Sequence, residues 1–556
     1  MKYSFFLFLL SFLACKGQDD VLLPSGVEQF YYNAQIYTVN PEQEWAEAML
    51  VTAGKITAIG TEAELEELVS KNAERIDVQQ KMIMPGIHDV HLHPLEAASE
   101  NFQFILEEDE TDPENYADLI FEAVEDQEAE WILGWGFDLF TLLEATREPI
   151  EILDDISSTK PIAVMEKTSH SIWVNSRALE LAGIDENSPN PPGGVIMRDE
   201  NGFPNGLLID NAGNLIIDLA ISSVPNNEQN DYDGLVNFAL PELAKNGITS
   251  ICDARTYWKR NHHLTYKKVA DDGLLTARTN LGLWIYPDEN DAEQIAIISS
   301  LYSFDANSLL KINQVKLYAD GIVINTTSAM HDDFLIDLFE EETNNGLNYV
   351  SESRMANYLS ALDPLGFDFH IHAIGDRGVH EALNAIEQSA SANGRHRLTH
   401  VEYVNPSDYS RFNTLNVTAD AQVAGDFTNP LHWHDNDELV DPSLNNSIVP
   451  IKDLLESDAR LTLSSDWDVS SLNPFIGLQN AVTRSPQNIS IADAVAAYTI
   501  NPAYLMRQEN IVGTLEVGKL ADFIILNQNI FTIDPSSINA TKVDATYLEG
   551  ELIYQR

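Results

Sequence analysis

Near its start the chain alternates apolar and polar residues over short distances, a period of two that predicts β-strands. Gln29 to Val39 is one such run. Ala48–Val51 and Lys55–Ile59 form a predicted hairpin around Ala53-Gly54, and Thr61-Glu62-Ala63-Glu64 reads as a capping box opening a short helix. The far end repeats the pattern: Phe523–Leu526 is followed by Thr546–Leu548 and Leu552–Tyr554, flanking the turn Glu549-Gly550. The two sets predict one small β-sandwich drawn from both termini, residues 21–86 plus 505–556; two unrelated sheets are the alternative. Between them, short apolar runs alternate with helical segments, the mark of a parallel α/β fold. Eight runs qualify: Ile87–His91, Ile248–Asp253, Thr279–Ile285, Ile312–Tyr318, Phe367–His372, Leu398–Val401, Asn416–Ala421 and Leu461–Ser464. Eight strands with intervening helices predict a (β/α)8 TIM-like barrel over residues 87–504. The gap between the first and second is too long for a loop. It predicts an inserted α+β subdomain, about residues 95–240, with a hairpin of Val195–Met197 and Leu207–Ile209 around Asn201-Gly202. Pro225 to Asp233 is polar and turn-rich and reads as a linker.

Composition narrows the function classes. Of 556 residues 44% are hydrophobic, so the chain can build large cores. Lys and Arg number 32 against 87 Asp and Glu, a net charge of −55 that repels phosphates and argues against a nucleic-acid partner. Two cysteines, Cys15 and Cys252, exclude a disulfide framework and a thiolate zinc site. At the amino terminus Lys2 precedes the apolar run Phe5–Leu13, too short to span a bilayer and suited to a secretory signal. Phe12-Leu13-Ala14-Cys15 resembles a lipoprotein cleavage box, with residues 1–14 removed and Cys15 lipidated; Lys16-Gly17-Gln18-Asp19-Asp20 resembles the acidic export tag of bacterial surface lipoproteins. The expectation is an exported enzyme of a Gram-negative cell envelope, at the outer membrane or cell surface, touching membrane only through that lipid. The alternative is an ordinary cleaved signal with an incidental cysteine.

Histidines, a lysine and an aspartate recur at predicted strand ends. His91 and His93 are two apart, so their imidazoles share a strand face, as two nitrogens on one metal require. Asp89 beside them is expected to support them. Lys316 sits amid strand residues; buried and neutral, it could take up CO2 to give a carbamate, an anionic ligand able to bridge two cations, and the alternative is a snorkelling lysine or a salt bridge. His370 and His372 share a face, with His372 nearer the C-terminal end and His370 supporting. Asp376 is expected to cap the next helix. His400 ends the sixth strand and Asp466 the eighth. In a barrel, the ends of strands one, four, five, six and eight converge on one mouth.

These motifs, together with Met84-Pro85-Gly86, Gly134-Trp135-Gly136-Phe137-Asp138, Ser169-His170, Trp173-Val174-Asn175-Ser176-Arg177-Ala178-Leu179 and Gly513-Thr514-Leu515-Glu516-Val517-Gly518-Lys519-Leu520-Ala521-Asp522, resemble the amidohydrolase superfamily. Within it the chain is similar to amidohydrolase family 3, which includes N-substituted formamide deformylases, from about Gln29 to the C-terminus. The chain departs from the family pattern at Thr168-Ser169-His170, where Asp-Gly-His is usual, and at Ile322-Val323-Ile324-Asn325. The resemblance implies a site for two divalent ions, usually Zn2+, with His91 and His93 on one, His372 and His400 on the other and carboxylated Lys316 bridging. Asp466 would bind metal and move protons. A metal-activated hydroxide would attack a small-molecule amide, N-formyl or cyclic amide carbon–nitrogen bond. His170, Trp135 and Trp173 are candidate substrate contacts, His170 and Trp135 foremost; for both tryptophans core packing is the alternative. Rival readings are a single-metal deaminase or an isomerase on the same barrel, or a non-catalytic surface lipoprotein that captures a ligand. A homodimer is left open.

Overall fold

A computed structural model describes residues 27–98, 102–106, 112–126, 130–339, 343–391 and 393–556. The expected signal segment and Cys15 lie outside the described residues. At the centre are eight parallel strands: β1 (Ile87–Leu92), β2 (Ile248–Thr256), β3 (Arg278–Trp284), β4 (Leu310–Tyr318), β5 (Asp368–Ala373), β6 (Arg397–His400), β7 (Thr418–Gln422) and β8 (Arg460–Ser464). They pair in chain order from β1 to β8. The ring closes where the Asp466 N–H donates to the His91 carbonyl at 2.8 Å and the Ser465 N–H donates to Asp89 Oδ1 at 3.2 Å. Asp89, expected beside the histidines, thus helps join the last strand end to the first. The eight strands are those the apolar runs predict, with ends displaced by a few residues.

Two further sheets pack together at the barrel's N-terminal side. One has four strands in the order Lys55–Gly60, Ala48–Thr52, Glu28–Tyr32, Glu74–Asp77. The other has six, and Phe523–Leu526 pairs antiparallel with Met82–Pro85, so strands from both ends of the chain share it. Tyr31, Met49, Val51, Ile83, Phe523 and Tyr547 fill the space between them. Thr61 caps the first helix as its sequence predicts: its side chain accepts from the Glu64 N–H while Glu64 reaches back to the Thr61 N–H. Between β1 and β2 a third sheet of six strands runs from Phe104–Ile105 to the hairpin Gly194–Arg198/Pro204–Asp210. It is apolar on both faces. Helices Pro113–Asp126 and Pro149–Ile156 cover one, and Ser176–Ala182 and Asn211–Ser222 cover the other.

Two local expectations are corrected. Residues 225–233 are no linker: Asn227–Gly234 is helical, with Asp231 and the following Leu235 buried, because packing overrides a composition that alone favours turns. The residue capping helix Asp376–Ser389 is Gly375; Asp376 is the first helical residue, and its carboxylate accepts the His331 N–H at 2.9 Å. An acid there still meets the positive end of the helix. Among the described residues no helix is long and apolar enough to cross a membrane.

The barrel floor and the sandwich are joined by charge. Arg278, 1% exposed, holds Asp522 at 2.7 Å and Glu549 at 2.8 Å. Arg278→Met strands the buried Asp522 carboxylate and is expected to cost about 3–5 kcal/mol. A urea-denaturation midpoint equal to that of the parent would contradict this reading of the joint.

Candidate metal centre

The mouth gathers the predicted residues because each ends a strand. His91 lies on β1 and His93 one residue past its end; their rings meet edge to face with centroids 5.3 Å apart. His372 on β5 and His400 at the end of β6 lie 4.5 Å apart, and His400 is 4.9 Å from His91. Asp466 spans the group: Oδ1 is 3.2 Å from His91 Nε2 and 3.1 Å from His93 Nε2, and Oδ2 is 3.9 Å from His400 Nδ1. His91, His400 and Asp466 carry ligand atoms close enough to share one cation. Two strand ends are bent to achieve this. Asp466 has φ +56°, His400 φ +75° and the β-branched Val401 φ +44°, all in the left-handed region that side chains disfavour. Such strain persists where surrounding structure enforces it, typically at functional sites.

Lys316 is fully buried on β4, in register with His370 of β5, and its Nζ has no hydrogen-bond partner. Burial pushes the amine well below the ordinary lysine range; the Asp466 charge opposes this, while Arg397 and Arg255 reinforce it. The alternative of a snorkelling or salt-bridged lysine does not hold: the amine is buried and makes no hydrogen bond, and its burial favours the neutral form that reacts with CO2. Burial likewise holds His91, His372 and His400 well below the usual histidine range, as neutral rings able to donate lone pairs. Burial alone would raise the Asp466 carboxyl, but its contacts with His91, His93 and His400 outweigh this and hold it well below the usual carboxylate range. His372 lies 3.1 Å from the Gly321 carbonyl through Nε2, which fixes the proton there and leaves Nδ1 buried without a partner. Neutral imidazoles, an unpartnered amine and a carboxylate make a donor set that fits a divalent cation.

His370, expected to play a supporting part, lies behind His91 and with His91 and Asp420 forms a second group close enough to share a cation. Its Nε2 lies 2.8 Å from His91 Nδ1, while Arg397 donates to its other nitrogen and, at 2.9 Å, to the Val90 carbonyl. Thr399 Oγ1 also lies 2.8 Å from His91 Nδ1 and donates to Asp420, a buried carboxylate that accepts from Gln422, Thr462 and Ser464 as well.

A cavity opens beside the centre, between the mouth and the inserted sheet. Trp135 and His170 line it, with Glu96, Arg255, Trp284, Tyr318 and Tyr349. His170 donates from Nδ1 to Asp210 at 2.7 Å, which also accepts the Tyr349 hydroxyl at 2.7 Å. The other ring nitrogen of His170 is thereby left to act toward the cavity. Trp173 is elsewhere: fully buried in the inserted domain, it packs on Phe137 and donates its indole N–H to the Pro149 carbonyl at 2.8 Å. Sequence reasoning missed Glu96, Asp210, Arg255, Tyr318 and Tyr349. Tyr318 was within reach, two residues beyond Lys316 and so on the same strand face; Asp210 has no such signal.

Comparison with known proteins agrees with this geometry. The sequence model of the amidohydrolase family matches residues 74–554. Protein LONG AFTER FAR-RED 3 of Arabidopsis thaliana is 26% identical over 96% of the chain and 92% of its own length. An N-substituted formamide deformylase of Arthrobacter pascens is 24% identical over 94% and 98%. A solved structure of an uncharacterized metal-dependent hydrolase from Pyrococcus horikoshii superposes with TM-score 0.71 at 22% identity, over 91% of this chain and 99% of that one.

The two tryptophans should separate on substitution. Trp173→Ala is expected to cost about 3–5 kcal/mol, and Trp135→Ala to alter KM with little loss of stability. Equal losses of thermal stability in the two variants would contradict their assignment to core and cavity.

Proposed function

Because the chain belongs to the amidohydrolase family, we propose that it is a metal-dependent hydrolase cleaving a non-peptide carbon–nitrogen bond of a small amide, N-formyl compound or cyclic amide. The observation that carries this reading is the buried amine of Lys316, without a hydrogen-bond partner, set beside a cluster of buried histidines and the Asp466 carboxylate. His91, His93, His372, His400 and Asp466 would hold divalent cations, with Zn2+ the expected metal, and Lys316 as its carbamate would lie between two of them. A bound divalent ion supplies a Lewis acid and lowers the pKa of water toward neutrality. Two pairs of histidines and one bridging position favour two ions over one.

The chain's own groups supply the rest. Asp466 Oδ1, facing His91 and His93, accepts a proton from the attacking water and returns it to the leaving nitrogen. His170, anchored through Nδ1 on Asp210, keeps Nε2 as an acceptor for an N–H or O–H of the substrate. The aromatic walls of Trp135, Trp284 and Tyr318 exclude water and suit an apolar substituent on the amide. The deformylase activity named for the Arthrobacter relative lies within this reaction class. A single-metal deaminase would leave the partnerless Lys316 without a task. We further propose that Cys15 carries a lipid and that the enzyme works outside the cytoplasm.

Metal analysis of the purified protein, with a screen of N-formyl and N-acyl compounds, tests the reading; a metal-loaded protein that instead releases ammonia from an aminated ring would favour the deaminase. Asp466→Asn should lower kcat by about 10²–10⁴-fold while metal remains bound, and unimpaired turnover would refute the proton role. Removing metal with a chelator should abolish activity and lower Tm, with both restored by Zn2+; activity undiminished in thoroughly stripped protein would contradict the proposal.

A further inference from the structure

Five side chains form a continuous belt along the wall of the cavity. His93 Nδ1 faces Glu96 Oε2 at 3.4 Å, three residues along in the short helix Pro94–Ala98. Both Glu96 oxygens are gripped by Arg255, from Nε at 3.1 Å and from Nη2 at 3.0 Å. Arg255 Nη1 donates to the Tyr318 hydroxyl at 3.2 Å. The Tyr318 ring lies flat on His372, with centroids 4.0 Å apart and planes 17° from parallel. The belt thus runs from one of the two first-strand histidines to the histidine of β5, and its three middle members all line the cavity.

An imidazole that binds a cation through Nε2 carries its proton on Nδ1, and a carboxylate accepting that proton fixes the ring's orientation and strengthens it as a donor. Glu96 is a carboxylate within 3.4 Å of His93 Nδ1, an atom that makes no hydrogen bond as the side chains stand, so a small turn of the ring would let Glu96 do so. A lone glutamate would be free to swing; the two-pronged contact with Arg255 holds it in one plane. Arg255, 9% exposed, is held in turn by Glu96 and Tyr318. The stack of Tyr318 on His372 limits the rotation of that ring from the other side. Resting on the reading of the mouth as a metal centre, we propose that Glu96 and Arg255 are positioning residues. They set the orientation of His93 and, through Tyr318, of His372, and so couple the shape of the substrate cavity to the affinity for metal.

The test is Zn2+ affinity of the stripped protein, measured by competition with a chromophoric chelator, together with the visible spectrum of the Co2+ form. Neither depends on turnover or on knowing the substrate. Glu96→Gln is expected to weaken Zn2+ binding by about 10–100-fold and to shift the Co2+ bands. Breaking a buried ion pair from one side also leaves a charge unpaired, so two further variants separate positioning from charge balance. Glu96→Asp keeps the charge but withdraws it from His93 by one methylene, and should show a similar loss. The double variant Glu96→Gln/Arg255→Met removes both charges; it should melt near the parent temperature and still bind Zn2+ weakly. Parent-like affinity in Glu96→Asp, or its recovery in the double variant, would overturn the proposal. Failure of the parent protein itself to bind Zn2+ or Co2+ would instead overturn the reading of the metal centre, and this inference with it.

Discussion

Everything at the barrel mouth depends on a lysine amine taken out of water with nothing to hydrogen-bond to. Burial there disfavours the protonated amine and pushes it well below the ordinary lysine range. The same burial keeps the surrounding imidazoles neutral. What remains is a cluster of imidazoles and one carboxylate whose ligand atoms lie close enough to share a cation. The fold sustains it by over-determining the mouth. Backbone bonds close β8 onto β1 at His91 and Asp466, left-handed residues bend the ends of β6 and β8, and a polar network of Thr399, Asp420 and Gln422 lies beneath.

That polar floor is unusual for a barrel, whose interior is ordinarily filled by branched apolar side chains. Here Arg397, Asp420, His370, Gln314 and Lys316 are all buried inside the ring of strands. Stability has to come from elsewhere, and the sequence provides it in the apolar layer between strands and outer helices and in the two sandwich cores. The inserted sheet, apolar on both faces, is a further body that roofs the mouth and supplies Trp135, His170 and Asp210 to the cavity. On the proposed reading, metal chemistry would sit on the rigid barrel, and substrate contact would come largely from a part that can change independently of it.

The eight barrel strands were legible because each is a short apolar run bounded by turn residues, and the metal-site residues because each interrupts or ends such a run. A lysine between Val315 and Leu317, or an aspartate after Leu463-Ser464-Ser465, is conspicuous against that background. Glu96 and Arg255 were not legible. They are 159 residues apart, and each alone looks like an ordinary charged residue near an element end. Nor could composition foretell the helix Asn227–Gly234, whose polar sequence is held by tertiary packing. Trp173 and Trp135 show the same limit: both stand in motifs resembling the family, yet only the fold divides them between core and cavity.

The central proposal, that the buried Lys316 amine takes up CO2 to give a carbamate within a cation site, is tested most directly by carbon-13 NMR of metal-loaded protein equilibrated with labelled bicarbonate. The account predicts a single carbamate resonance that is absent from Lys316→Met and lost when the metal is stripped. Fully active, metal-loaded protein showing no such resonance would contradict it.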